Sequence, residues 1–362
     1  MRVLSIVSTL LLGGAEVMAV MISNSLHRSG VYSCLCCTRE SGPVAKKLLV
    51  DVPLIYLNKK SFFDIKAIRA LRKLIVQNRV DIVHAHNDSV FTVIISKFFP
   101  YPICNLKIVW HDHSGVHALY KNRPLISVAL TSWLVDAIIV VDQDAENLFR
   151  YFSSNKKKIR HISNFSEFNI TDNVPKLPGI SSKRIVNVAT IHPIKGQLVL
   201  VEAFKTVLDK FSDAHLIFVG KIRDEDYYKL LLDKIKKMDM ANSVTFLGGR
   251  EDVPDVLKQV DIGVLCSVAE GTPLALLEYG MAGLPVIATN VGQCSQIVED
   301  QVSGQIISAQ DVSSLANSIL RYLESPSLSR KYGNALQMRV ERKYSENNTM
   351  KKIKNIYEDL LL

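Results

Sequence analysis

The sequence predicts an α/β protein built of two doubly wound units, and three observations carry that expectation. Short apolar runs alternate with helix-length amphipathic segments from residue 2 almost to the end, the order that builds parallel sheets covered by helices on both faces. A chain of 362 residues exceeds what one ordinary core organises. A stretch rich in Pro, Ser and Gly, Thr171 to Ser182, divides the alternation in two. The expected boundaries are a first domain over 1–165, a linker over 166–182, a second domain over 183–343 and a terminal helix over 344–362.

Composition narrows the class. Hydrophobic residues at 48% and charged residues at 22% suit a soluble globular chain. Met1-Arg2 leads straight into a strand-like run too short for a secretory signal, and the longest apolar run, Leu125 to Val141, is broken by Thr131, Ser132 and Asp136. Six scattered cysteines, mostly inside apolar strands, argue for a reducing cytoplasm, and Cys34-Leu-Cys36-Cys37 reads as core cysteines rather than a redox or metal site. The net charge of +9 is uneven: residues 1–165 hold 21 Lys and Arg against 11 Asp and Glu. That excess implies an anionic surface for the first half. With no zinc-finger spacing and no Gly-aromatic RNA signature, membrane headgroups fit better than nucleic acid.

Taken in order, the first strand, Val3 to Val7, runs through Ser8–Leu12 to Gly13-Gly14-Ala15-Glu16, which opens a helix reaching Arg28. A glycine pair there lets a ligand approach the backbone. Lys59 to Arg79 reads as a basic helix with Phe62, Ile65, Ile68, Leu71 and Ile75 as its sheet-facing stripe; the Phe62-Phe63 pair also suits a bilayer interface. Five of nine histidines fall between 84 and 117: His84, His86, His111, His113 and His117. His84 and His86 alternate on a strand and so face one way, which raises a zinc site with Asp112. Polar residues at strand ends are equally what a ligand loop needs without any metal.

In the second half, Thr190 to Gly196 joins strand Ile185–Ala189 to a helix ending near Lys210, and Lys195 beside glycine can place its ammonium on a phosphate. The most informative stretch runs from Asp261 to Gly292. A strand, Ile262–Cys266, leads through Glu270-Gly271-Thr272-Pro273 into an apolar helix carrying Glu278, followed by strand Leu284–Ala288. Pro273 suits a first helical position, so the helix is expected to begin at Thr272 or Pro273, its free N–H groups offering an anion site. Glu278 then lies about two turns in, within a helix that reads as buried. Helices over Leu315–Leu323, Leu328–Lys343 and Ser345–Leu362 close the chain.

Glu270-Gly-Thr-Pro-Leu-Ala-Leu-Leu-Glu278, with Asp261-Ile-Gly-Val-Leu before it and Gly283-Leu-Pro-Val-Ile-Ala-Thr-Asn-Val-Gly292 after it, resembles the E-x7-E signature of the retaining GT-B glycosyltransferases of family 4. The Gly-Gly-Ala-Glu opening at Gly13 matches too. The resemblance implies two Rossmann-like domains facing a central cleft, a metal-independent reaction without cofactor, and a nucleoside-diphosphate sugar as donor. It implies a glycan or polyprenyl-linked acceptor, in a bacterial surface polysaccharide pathway on the inner membrane face. Carried residue by residue, Lys195 and the helix start at Gly271, Thr272, Pro273 and Leu274 hold the diphosphate, and Glu278 bonds the ribose. Glu270 holds the reacting sugar, Arg250 borders the base, Gly14 lies near the phosphates, and His111, with His113 second, orients donor or acceptor. The last helix is expected to return to the first domain. Ser163 stands where the family usually has a proline, and Thr190 where it has an arginine, so either His192 or Arg250 substitutes for the missing charge or the diphosphate is held less tightly than usual. A sugar-nucleotide epimerase and a non-catalytic nucleotide-sugar binding protein are the rival readings.

Overall fold

A computed structural model of the chain describes residues 1–11, 13–113, 125–153, 155–166, 168 and 176–362. His117, the first residues of the helix expected from Lys121, and the first five residues of the linker Thr171–Ser182 lie outside them. The described residues form two compact units, Met1–Phe165 with Glu346–Leu362, and Ser166–Ser345.

Among the described residues the first unit holds a seven-stranded sheet: β1 (Arg2–Thr9), β2 (Tyr32–Glu40), β3 (Leu54–Tyr56), β4 (Ile82–His86), β5 (Lys107–Asp112), β6 (Ala137–Val140) and β7 (Ile159–His161). The order is β3-β2-β1-β4-β5-β6-β7, with every pair parallel. The second unit has six strands: β8 (Arg184–Val188), β9 (His215–Val219), β10 (Val244–Phe246), β11 (Ile262–Leu265), β12 (Val286–Thr289) and β13 (Gln305–Ile307). Their order is β10-β9-β8-β11-β12-β13, again parallel. Both sheets are doubly wound α/β, as the alternation predicts. In both, strand order reverses beside the first strand, between β1 and β4 and between β8 and β11. Ligands of such sheets bind outside the carboxyl ends of the strands at that reversal.

Continuous apolar strands explain the double cover: Val3, Leu4, Ile6 and Val7 on β1 and Ile185 and Val186 on β8 are buried on both faces. Cys34, Cys36 and Cys37 on β2 are buried free thiols; burial pushes Cys34 up to about 11 and Cys36 well above the usual thiol range, the state of packed rather than reactive cysteines.

The basic helix is shorter than its sequence suggests. It runs Ile65–Gln77, because Asp64 accepts the N–H of Ala67 and caps it there. Ile68, Leu71 and Ile75 are buried as expected, but Phe62 and Ile65 are not part of the stripe: they are 48% and 54% exposed. The last helix, Glu346–Leu361, belongs to the first unit, burying Ile353, Ile356 and Tyr357 and pairing Glu346 with Arg28 at 2.6 Å. Among the described residues, no helix is long and apolar enough to cross a membrane.

Candidate active site

In the second unit the loops after β8 and β11 flank the reversal point, and backbone contacts lock them together. Val268 donates its N–H to the carbonyl of Ile194 (2.8 Å), and the Cys266 thiol donates to the carbonyl of Lys195 (3.3 Å). Gly196 sits at φ 67°, where a side chain is strained, and a Cβ there would lie 2.0 Å from the carbonyl oxygen of Cys266. Only glycine lets these two loops touch. The turn after β12 closes on the other side: Gln293 donates its N–H to the carbonyl of Gly271 (3.0 Å), and Thr272 Oγ1 donates to Gln293 Oε1 (3.0 Å).

This clamp brings Lys195 to Glu270. Lys195 Nζ lies 2.6 Å from Glu270 Oε1, which also accepts from Ser267 Oγ at 2.5 Å. The Glu270 side chain is 9% exposed and the Lys195 side chain 23%. A carboxylate this enclosed needs both partners. Ser267 is wholly buried, and its carbonyl accepts from Thr289 Oγ1 at 2.6 Å, fixing the loop from the β12 side.

The adjoining helix runs Leu274–Ala282, with Pro273 as an extended cap rather than the first helical residue, and no side chain caps it. It therefore begins one or two residues later than the proline suggests. Gly271, Thr272 and Pro273 form the approach to it, and its first N–H groups stay available to an anion. Glu278 is correspondingly four residues in, about one turn rather than two, and is half-buried. Beside it Tyr279 is fully buried and its hydroxyl accepts the N–H of Val188 at 2.7 Å, tying this helix to the end of β8.

In the first unit, Gly14 is the opening residue of helix Gly14–Arg28 after β1. Across the reversal point four imidazoles crowd the ends of β4 and β5. His84 and His86 stack with centroids 4.6 Å apart and planes 1° apart, and His111 stacks on His113 at 3.9 Å. His84 Nε2 hydrogen-bonds His111 Nδ1 at 3.0 Å, and His86 Nδ1 bonds His113 Nε2 at 2.8 Å. Burial, reinforced by neighbouring histidine charges, pulls His84 down to about 3 and His86 and His111 well below the usual range; burial likewise takes His113 to about 3. All four are neutral at ordinary pH. His84, His86 and His111 offer ring nitrogens within 4.8 Å of one another, which is close enough to weigh a metal. Yet both nitrogens of His84 are already engaged, Nδ1 by the hydroxyl of Tyr357 and Nε2 by His111. His111 itself is 1% exposed, with a buried Nε2 that has no partner among the described residues.

Two family models match the chain: "Glycosyltransferase Family 4" over residues 12–166 and "Glycosyl transferases group 1" over residues 182–325. The chain belongs to the family 4 glycosyltransferases. It is 26% identical over 352 residues to the UDP-Gal:alpha-D-GlcNAc-diphosphoundecaprenol alpha-1,3-galactosyltransferase of Escherichia coli, covering 90% of this chain and 88% of that protein. It is 22% identical to the N-acetyl-alpha-D-glucosaminyl L-malate synthase of Bacillus anthracis, covering 83% and 80%. Among solved structures, HepE of Anabaena in complex with UDP and glucose is similar with a TM-score of 0.81 at 19% identity, covering 99% of this chain and 100% of that one. The transferase therefore has the GT-B fold.

Both residues expected to stand in for the arginine at Thr190 have local partners. Arg250 is held by both oxygens of Asp252, at 2.7 and 2.5 Å, and its guanidinium and that carboxylate stabilise each other's charge. His192 uses Nδ1 to cap the N–H of Ile194. Sequence reasoning missed Ser267 and Tyr357, and the signals were thin: a serine three residues before Glu270, and a tyrosine on a distant helix.

Proposed function

We propose that this glycosyltransferase moves a sugar from a UDP-sugar to a glycan carried on a lipid diphosphate, with retention at the anomeric carbon. The observation that carries the reading is the enclosed Lys195–Glu270 pair beside an uncapped helix start at a sheet reversal point. The donor's diphosphate would lie at the start of helix Leu274–Ala282 with Lys195 turned to it, and Glu270 would take hydroxyls of the departing sugar. Glu278 would hold the ribose, and the backbone near Gly14 and Arg250 would border the phosphates and base.

Breaking the anomeric C–O bond leaves positive charge on the sugar and negative charge on UDP. Lys195 and the helix dipole meet the second, Glu270 the first. The acceptor hydroxyl attacks from the face that UDP leaves, its proton passing to the departing phosphate oxygen, so the products are the α-linked glycan and UDP. These cationic groups meet the leaving-group charge without a metal ion, and turnover is expected to persist in EDTA. His111 would orient the donor sugar or acceptor. The UDP-sugar and the lipid-linked acceptor rest on the Escherichia coli relative, and UDP also on HepE.

A surface polysaccharide pathway on the cytoplasmic face of the membrane belongs to the same reading. It is supported by the basic first half and by exposed Phe62 and Phe63 next to the basic helix Ile65–Gln77. The same reading takes the domains as 1–165, 183–343 and 344–362 with a linker over 166–182, a division supported by the compact units Met1–Phe165 with Glu346–Leu362 and Ser166–Ser345.

The test is a panel of UDP-sugars and other nucleotide sugars screened by thermal shift, followed by incubation of the best binder with undecaprenyl-diphosphate-GlcNAc. Extended glycolipid with an α linkage is the expected product. A changed sugar nucleotide without acceptor marks an epimerase, and binding without turnover a non-catalytic binder, the reading that the missing charge at Thr190 favours. Either result would overturn the proposal.

A further inference from the structure

The four histidines form two hydrogen-bonded pairs, and one pair continues into the terminal helix. Tyr357, fully buried, places its hydroxyl on His84 Nδ1; His84 Nε2 meets His111 Nδ1; His111 Nε2 is left buried with no partner among the described residues. A neutral imidazole carries one N–H and one lone pair, so a chain of this kind has a polarity: once one end is set, every proton in it is set. Two polarities are possible. In one, Tyr357 donates to His84 Nδ1, His84 Nε2–H donates to His111 Nδ1, and His111 carries its proton on Nε2. In the other, every donor becomes an acceptor, and the Tyr357 hydroxyl must lodge its proton elsewhere.

The second arrangement fails on the Tyr357 side. Among the described residues its hydroxyl has no partner other than His84. Accepting from His84 would leave a buried O–H without an acceptor, whereas donating leaves only a spare lone pair, which is the smaller penalty. Ionisation offers no escape, because burial pushes the Tyr357 phenol up and all four imidazoles down.

We propose that Tyr357 and His84 are positioning residues that hold His111 as the Nε2–H tautomer, so that His111 meets a ligand oxygen as a hydrogen-bond donor and not as a base. This rests on the reading of His111 as a substrate-contacting residue. It adds the group's protonation and names the residues that set it. It also accounts for a terminal helix reaching β4: the hydroxyl that starts the chain comes from there. A metal held by His84, His86 and His111 is the competing use of the same rings. It would have to take a lone pair that His84 already commits to Tyr357 or His111, from rings that stack face to face with planes 1° to 29° apart.

The experiment is a two-bond ¹H–¹⁵N correlation spectrum of the full chain labelled at histidine nitrogens, with His111 assigned by loss of its signals in His111→Ala. The expected wild-type pattern for His111 is a protonated Nε2 and an unprotonated Nδ1, widely separated in nitrogen shift. Tyr357→Phe removes the bias, and the two His111 nitrogen shifts are expected to converge. His84→Gln keeps the polarity, its amide oxygen accepting from Tyr357 and its amide N–H donating to His111, and so preserves the wild-type pattern; His84→Leu does not.

A protonated Nδ1 on wild-type His111 would overturn the proposal. So would a pattern unmoved by both Tyr357→Phe and His84→Leu, or one equivalent of zinc that co-purifies with the wild type and is lost in His84→Leu. His111→Ala in the glycolipid assay decides the underlying reading separately: full transfer would remove His111 from the substrate while leaving the tautomer assignment standing.

Discussion

Acid should unfold the first unit well before carboxylates titrate, and the histidine cluster sets the size of the effect. His84, His86, His111 and His113 all have folded-state values far below the ordinary 6.5, with His84 and His113 near 3, because charging them would desolvate an imidazolium. The folded value is the lower one, so below about 6.5 the unfolded chain binds protons that the folded chain refuses. The contribution is whole above that point and drains as pH falls toward 3. Each such imidazole withdraws ~1.3 kcal/mol between pH 7 and 5.5 when the unfolded value is near 6.5. Four together withdraw ~5 kcal/mol, against the roughly 5–15 kcal/mol that holds a typical domain. Both tryptophans, buried Trp110 and exposed Trp133, lie in this unit, so urea unfolding followed by tryptophan fluorescence reads it alone. His86→Gln should shrink the pH-dependent loss by about a quarter, whatever it does to stability at pH 7. A wild-type loss below ~1 kcal/mol over that interval, or equal losses in wild type and variant, would refute the reasoning.

Glu270→Gln and Lys195→Met should each lower kcat by about 10²-fold or more, and because they share one ion pair the double variant should fall little below the worse single; multiplied losses would show independent roles. Gly292→Ala places a Cβ 2.2 Å from the carbonyl oxygen of Glu270 at a φ of 51°, and should cost more than ~2 kcal/mol in urea unfolding followed by circular dichroism, with weakened donor binding. Of the six cysteines only Cys104 is exposed, so a thiol reagent should label one site quickly and the rest only on unfolding.

The doubly wound units were legible because parallel strands buried on both faces read as mainly apolar runs, as β1, β8 and β11 do despite a buried Ser5 and Asn187. Family membership was legible in Glu270 to Gly292, since glycine and proline there answer to backbone geometry: Gly292 occurs at positive φ, and Pro273 stands at the helix boundary. Boundaries were less so. Asp64 caps a helix that periodicity alone extends back to Lys59, and periodicity places Phe62 and Ile65 inside when they lie exposed. Side-chain pairing was hidden altogether: that Lys195 would meet Glu270, that Arg250 would be claimed by Asp252, and that Tyr357 would reach His84 depend on loops and helices far apart in sequence.

The return of Glu346–Leu361 to the first unit imposes an order on synthesis. On the ribosome, β1 to β7 emerge long before the segment that seals them, so His84 must wait, without its hydroxyl partner, until the second unit has been made. A chain cut short at Ser345 would keep every strand of both sheets yet leave the sides of the first one bare where Ile353, Ile356 and Tyr357 belong, a state suited to capture by chaperones or proteases. Completion of the first half is thus postponed until Glu346–Leu361 has been translated, and products truncated before it lack the means to finish it.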